Sequence, residues 1–329
     1  SIDRQDNGEK EKWFSHTLND FINLPGSMPE KLKGDEVTAK TQWTGRLYDS
    51  SYYYNPYMEK YRKEGNIKFP FFLTPDKHYV GAAWYQKEVN IPADWKGERI
   101  LLFLERPHIE TTVWVNGQKT GMQNSLCVPH QYDITRYVRP GKCTITIRVD
   151  NRIKEINVGP DSHSITDQTQ GNWNGIVGRI CLQTTPKTYF DDIQIYPEPE
   201  QKLARVKVVI KGAGITKIKL SAESFNTDKK HIVPAIQQEI KLNKGVTETE
   251  MVLPMGNDML LWDEFHPALY KLKAEVTNGK KTEIKEIQFG MRRFEIKGKW
   301  FYVNGRKTQL RGTVENCDFP LTGYAPMDV

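Results

Sequence analysis

From residue 79 onward, apolar and polar side chains alternate with a period of two, the mark of strands with one buried face. Residues 84–89, 99–104, 111–115, 131–135, 143–149, 176–182 and 190–196 each read as a short strand. Asn116-Gly117 follows the β-branched run Thr111-Thr112-Val113-Trp114-Val115, which predicts a type I′ hairpin because both turn residues tolerate positive φ. Pro140-Gly141-Lys142 marks another turn. Strands this short and this closely spaced predict a sandwich, not a parallel α/β sheet. Pro197-Glu198-Pro199-Glu200 reads as a linker. Beyond it 204–210, 216–224, 236–242, 247–253 and 270–276 alternate again, with a turn at Asn278-Gly279. About seven short strands in this stretch fit an immunoglobulin-like sandwich, and the absence of a Cys–Trp–Cys signature makes it the disulfide-free kind. A third unit begins near Met291. Phe301-Tyr302-Val303 runs into Asn304-Gly305-Arg306, and 308–312 reads as a buried strand ending at Gly312. The chain is therefore expected to be all-β, divided as 1–197, 198–290 and 291–329.

Two stretches break the alternation. Residues 1–60 are polar, punctuated by Leu24-Pro25-Gly26-Ser27-Met28-Pro29. They end in a cluster of Tyr52, Tyr53, Tyr54 and Tyr57 around Asn55-Pro56. Such a cluster serves either as a carbohydrate-stacking surface or as packing on a neighbouring domain. Residues 150–174 carry Gly159-Pro160, several Ser and Asp, and Trp173. Loops of that length inside compact domains are commonly functional.

Composition narrows the class. Of the 329 residues 38% are hydrophobic and 27% charged, a globular balance that excludes a disordered chain. No apolar run approaches the roughly 18 residues of a membrane span. The net charge of +6 is scattered, with no nucleic-acid-binding module beside it. Cys127, Cys143, Cys181 and Cys317 show no zinc spacing and read as buried thiols, so no metal or other cofactor is expected. The opening Ser1-Ile2-Asp3-Arg4 has neither Met nor a signal-like segment, and reads as a processed end or an engineered boundary.

Several motifs, in order, resemble the N-terminal half of family 2 glycoside hydrolases, the β-galactosidase, β-glucuronidase and β-mannosidase group. They are Trp84-Tyr85, Ile91-Pro92 with Trp95 and Gly97, Glu105-Arg106, Val113-Trp114-Val115-Asn116-Gly117, Tyr132-Asp133-Ile134-Thr135, Val149-Asp150-Asn151 and Gly171-Asn172-Trp173-Asn174-Gly175-Ile176. Leu261-Trp262 with Pro267, Leu269 and Tyr270, then Phe289-Gly290-Met291-Arg292 and Leu310-Arg311-Gly312, continue the pattern. The resemblance implies a jelly-roll sugar-binding domain, an immunoglobulin-like domain, and the first strand of a (β/α)8 barrel. A barrel needs roughly 250 residues, and Met291 to Val329 is 39. The catalytic glutamates are therefore expected beyond Val329, and none of the carboxylates in this chain is expected to be catalytic.

The resemblance also implies which residues face a sugar. Gly65-Asn66-Ile67 resembles a loop that gives an Asn to the substrate, and Asp167, eight residues before Gly175, resembles an Asp that binds sugar hydroxyls. Amide and carboxylate groups suit a polyol, since one donates and accepts and the other accepts twice. Each has a structural role open to it as well: Asn66 as a turn former, Asp167 as a loop cap. Trp173 is either a stacking wall or a packing aromatic. After Gly312 the family's β-galactosidases have a His-rich stretch. This chain has Thr313-Val314-Glu315-Asn316-Cys317-Asp318, with Asn316 where a sugar-contacting His would stand. Galactose specificity does not carry over on that stretch. Glu315, Asn316 and Asp318 remain candidate substrate-side groups at the end of a barrel strand. The expected partners are a β-linked carbohydrate and the remainder of the barrel, with no nucleic acid or membrane span, in a secreted or periplasmic protein. A free-standing carbohydrate-binding protein of two sandwiches is the alternative.

Overall fold

The computed structural model describes residues 1–38, 40–44, 55–67, 75–126, 128–154 and 172–313. They form two compact units, Ser1–Thr184 and Thr185–Thr313. Among the described residues the regular structure is strand, joined by short 3-10 turns.

The first unit holds β1 (Ile2–Asp3), β2 (Gly26–Ser27), β3 (Asp35–Glu36), β4 (Lys77–His78), β5 (Ala82–Ile91), β6 (Arg99–His108), β7 (Glu110–Val115), β8 (Gln118–Asn124), β9 (His130–Asp133), β10 (Gly141–Asp150) and β11 (Gly175–Thr185). One sheet has the order β1-β5-β10-β7-β8, the other β2-β11-β6-β9, and β3 pairs with β4 in a small ribbon. The alternation decides what meets between the sheets. Ala83, Tyr85, Val113, Ile145, Ile147 and Val149 of the first sheet share one core with Ile100, Leu102, Leu104, Tyr132 and Ile176 of the second. Burying each large apolar side chain contributes about 1.5–3 kcal/mol, so a one-residue slip that turned these positions outward would forfeit the core. The turn between β7 and β8 has φ of 50° at Asn116 and 76° at Gly117, the expected type I′ geometry.

On the same strands Trp84 and Trp114 point away from this core, yet they are 1% and 2% exposed. Residues of the amino-terminal segment cover them. Trp13 lies 6.1 Å from Trp84, and Phe14 stacks on Trp114 at 5.2 Å with an interplanar angle of 4°. The polar pattern of residues 1–60 concealed this layer, because two rings among charged residues leave no periodic trace.

The second unit contains β12 (Tyr189–Glu198), β13 (Leu203–Ser224), β14 (Ile232–Pro254), β15 (Tyr270–Asn278) and β16 (Lys281–Phe289). Of the five alternating segments beyond residue 198, four merge into the two long strands β13 and β14, and β12, the 190–196 segment expected in the first domain, joins their sheet. The first half of β13 pairs with β12 and its second half with β15, while β14 follows its whole length. The register shifts at Gly212/Gly214, where Gly214 has φ 89° and Gly245 on the facing strand has φ 108°. Glycine permits that backbone at little steric cost, so the chain bends instead of breaking. Val206, Val208 and Ile210 before the bend and Ile218, Leu220, Leu272 and Ala274 after it fill one core.

The boundary expected at 197 falls instead between Thr184 and Thr185. β12 is hydrogen-bonded along β13 from Tyr189↔Lys211 to Glu198↔Leu203, and Pro199–Gln201 is the turn that closes this hairpin. Proline and charge mark a hairpin turn as well as a linker, which is why the sequence read as a domain break. After Phe289 come β17 (Phe294–Lys297), β18 (Trp300–Val303) and β19 (Arg306–Thr308), an antiparallel meander. Trp262 ties this meander to the sandwich. Its N–H donates to Met291 O at 2.9 Å, and its carbonyl accepts from Asn304 Nδ2 at 3.0 Å. The buried strand expected over 308–312 ends at Thr308. Gln309 to Gly312 are exposed and pair with no strand among the described residues, so nothing there desolvates them. Cys143 is buried as expected, whereas Cys181 on β11 is half-buried; Cys127 and Cys317 lie outside the described residues.

Candidate functional site

At one end of the first sandwich β6 stops at His108, β10 stops at Asp150 and β11 starts at Gly175. Three buried asparagines bind the last two of these ends to each other and to residues 79–81 before β5. Asn151 Nδ2 donates to Tyr79 O at 2.8 Å and to Asn172 Oδ1 at 3.0 Å, while its Oδ1 accepts from Gly81 N at 2.8 Å. Asn172 Nδ2 returns a bond to Asn151 O at 3.0 Å and reaches Thr44 Oγ1 at 2.9 Å. Asn174 Nδ2 donates to Gly81 O and Val149 O, and its Oδ1 accepts from Tyr85 OH at 2.8 Å. Buried polar groups are tolerated when satisfied in this way. The local sequence explains the tight entry to β11: a Cβ on Gly175 would lie 2.5 Å from Gly26 O, so only glycine lets β2 pair there.

Beside this frame stands an ion network. The Asp150 carboxylate is fully buried and accepts from Arg148 Nη2 at 3.0 Å, Arg152 Nε at 2.9 Å and Lys154 Nζ at 2.8 Å. Burial alone would raise its pKa, but the hydrogen bonds from Arg152 and Lys154 outweigh that and hold the carboxyl well below the usual carboxylate range. Glu110 accepts from Arg148 and Lys154, and Asp6 from Arg148 and Arg152. Asp150 stays ionised and saturated, so it is an anchor and not a general acid, which must hold a proton near neutral pH.

Trp173 lies between Asn172 and Asn174 and is half-buried. Its indole stacks on the His108 imidazole at 4.6 Å with an interplanar angle of 26°. Burial pushes His108 down to about 3, so the ring beneath Trp173 is neutral. A half-buried indole held in this way can offer an apolar face to a sugar ring, while the asparagine amides beside it are buried and already bonded within the frame. The other described candidate, Asn66, is exposed. Its Nδ2 donates to Lys60 O at 2.9 Å, closing the turn that follows the 3-10 segment Pro56–Tyr61. No hydrogen bond links Asn66 with Trp173 among the described residues. Asp167, Glu315, Asn316 and Asp318 lie outside the described residues, as do Tyr52, Tyr53 and Tyr54; Tyr57 is exposed. The sequence reading missed His108 and the Asp150 network and assigned no role to Asn151, Asn172 and Asn174. The available signal was the cluster of three asparagines flanking a long irregular stretch.

Comparison with known proteins identifies the class of this architecture. Residues 22–186 match the model "Glycosyl hydrolases family 2, sugar binding domain", and residues 188–292 match "Glycosyl hydrolases family 2". The chain belongs to glycosyl hydrolase family 2. It is 25% identical over 281 residues to a β-galactosidase of Thermoanaerobacter pseudethanolicus, covering 80% of this chain and 35% of that protein. It is 25% identical over 279 residues to human β-glucuronidase, covering 75% of this chain and 41% of that protein. A solved family 2 member from Bacteroides cellulosilyticus shares the fold, with TM-score 0.62 and 20% identity, over 88% of this chain and 35% of that one. The chain thus spans well under half the length of the relatives it matches.

Proposed function

We propose that this chain is the non-catalytic N-terminal region of a retaining, β-galactosidase-like family 2 hydrolase that cleaves terminal β-glycosidic bonds. The observation that carries the reading is the match of both family domains, in order, over residues 22–292. In this reading the first unit supplies sugar-binding groups, and a barrel outside the chain supplies the two glutamates. A retaining glycosidase needs both carboxylates about 5–5.5 Å apart, one to protonate the leaving oxygen and one to attack the anomeric carbon. Asp167 accepts from sugar hydroxyls, Trp173 offers its ring face, and Asn66 is a second amide contact. In this reading Glu315, Asn316 and Asp318 are substrate-side groups supplied where the chain passes into the barrel. The match to hydrolases of which the chain covers only 35% and 41% favours this reading over a free-standing binding protein.

The experiment is Asp167→Ala in the protein extended by its barrel. Loss of charge-assisted hydrogen bonds worth about 1–3 kcal/mol lowers kcat/KM on an aryl β-glycoside roughly 5- to 150-fold. Kinetics within twofold of the unsubstituted enzyme would remove Asp167 from the substrate side.

A further inference from the structure

The amino-terminal segment precedes the region that matches the family's sugar-binding model, which starts at residue 22. It is nonetheless fastened along the first unit by acidic side chains three residues apart. Asp3 accepts from Trp84 Nε1 at 2.9 Å and Gly8 N at 2.8 Å. Asp6 accepts from Arg148 Nη2 at 2.7 Å and Arg152 Nη2 at 2.6 Å, and Glu9 from Lys119 Nζ at 2.8 Å. Trp13 and Phe14 then cap Trp84 and Trp114. Asp6 matters most, because the cluster it joins has three cations, Arg148, Arg152 and Lys154, against Asp6, Asp150 and Glu110. Without Asp6 the balance is three to two.

The two guanidiniums respond differently to that imbalance. The Arg148 side chain is 9% exposed and enclosed by the sheet, whereas that of Arg152 is 37% exposed. Leaving a charge buried without its partner costs several kcal/mol, so the cluster relaxes through the group that can reach water, Arg152. Arg152 also holds Asp150 by its side chain and its backbone N–H, at 2.9 and 3.0 Å. Asp150 is followed by Asn151, whose amide is bonded to Asn172, the neighbour of Trp173. A path therefore runs from Asp6 to the indole, by hydrogen bonds from Asp6 to Arg152, Arg152 to Asp150 and Asn151 to Asn172, and by the chain itself from Asp150 to Asn151 and from Asn172 to Trp173.

We propose that Asp6 is a positioning residue for Trp173, and that the amino-terminal segment is a strap which sets the carbohydrate-facing rim of the first unit. The proposal rests on the reading that Trp173 meets a sugar.

The test compares the whole 329-residue chain with its Asp6→Asn, Asp6→Glu and Trp173→Ala variants. Amide hydrogen exchange is followed at 150–154 and 172–174, and saturation-transfer NMR titrations use methyl β-D-galactopyranoside and methyl β-D-glucuronide. Asp6→Asn is expected to speed exchange in both segments at least tenfold and to weaken sugar binding at least fivefold, with β6 and β7 amides unchanged. Asp6→Glu, which keeps the carboxylate, restores both properties to within twofold of the parent. Unchanged exchange at 172–174 in Asp6→Asn overturns the strap whatever the sugars do. So does faster exchange spread evenly over the first unit, which marks general destabilisation. If Trp173→Ala leaves binding intact, the sugar role of Trp173 fails, and with it the carbohydrate half of the proposal, while the exchange result still decides the path.

Discussion

Asp150→Asn is expected to destabilise the first unit by about 3–5 kcal/mol at pH 7, the cost of breaking a buried ion pair from one side. The substitution keeps the shape of the side chain, but its amide cannot accept from Arg148, Arg152 and Lys154 together. Arg148 is then left with little access to water. The pH dependence has a definite sign. The Asp150 carboxyl titrates lower in the folded chain than its unfolded value of about 3.9. As pH falls the unfolded state binds the proton first. The contribution of Asp150 is therefore complete above about pH 5 and is lost as pH drops through the folded value. Urea unfolding of parent and variant, followed by exchange of the β10 amides, should show the full gap at pH 7 and a narrowing gap in strong acid. A gap below 1 kcal/mol at pH 7 would mean that the three cations find other partners.

Asn174→Ala should have a comparable effect through neutral chemistry. The side chain is fully buried and satisfies Gly81 O, Val149 O and Tyr85 OH. Truncation strips the buried Tyr85 OH of its acceptor and takes one donor from Gly81 O, which keeps Asn151 N at 3.5 Å, and one from Val149 O, whose residue pairs with Ala83 in the β5–β10 ladder. With an unpaired buried group costing about 1–3 kcal/mol, a total of about 2–4 kcal/mol is expected. Tyr85→Phe removes one partner cleanly and should cost about 1 kcal/mol. Because the two residues share a bond, the double variant should fall short of additivity by about 1 kcal/mol. Strict additivity in denaturant melts would contradict the shared bond.

The two sandwiches were legible because their strands bury one face each, and burial writes itself into sequence as alternation. Val113, Val115, Ile145, Ile147 and Val149 all point where the pattern put them. Turn chemistry was legible for a similar reason: Asn116-Gly117 can do little else after a β-branched run. Where the reading departed from the structure, one local signal served two structures. Glycines that end strands elsewhere bend β13 and β14 here, and Pro197-Glu198-Pro199-Glu200 closes a hairpin although it resembles a linker. The strap was hidden because its hold on the sheet is ionic and aromatic, through Asp3, Asp6, Glu9, Trp13 and Phe14, with no apolar period. The asparagine frame was visible as residues but not as a device, since its bonds join positions up to 93 apart in the chain. Among the candidates for facing a sugar, Trp173 stands in a motif, and the structure shows it half-buried against His108. Its stacking on His108 is a tertiary contact that no spacing announces.

The most direct test of the account is turnover. The purified 329-residue chain and the same chain extended by the proposed barrel are assayed on 4-nitrophenyl β-galactoside, β-glucuronide and β-mannoside. With the acid and the nucleophile placed in the barrel, as proposed, no hydrolysis above the uncatalysed rate is expected from the 329-residue chain, and steady turnover of at least one substrate is expected from the extended protein. Hydrolysis by the 329-residue chain that survives repurification would contradict the assignment of the catalytic groups to the barrel.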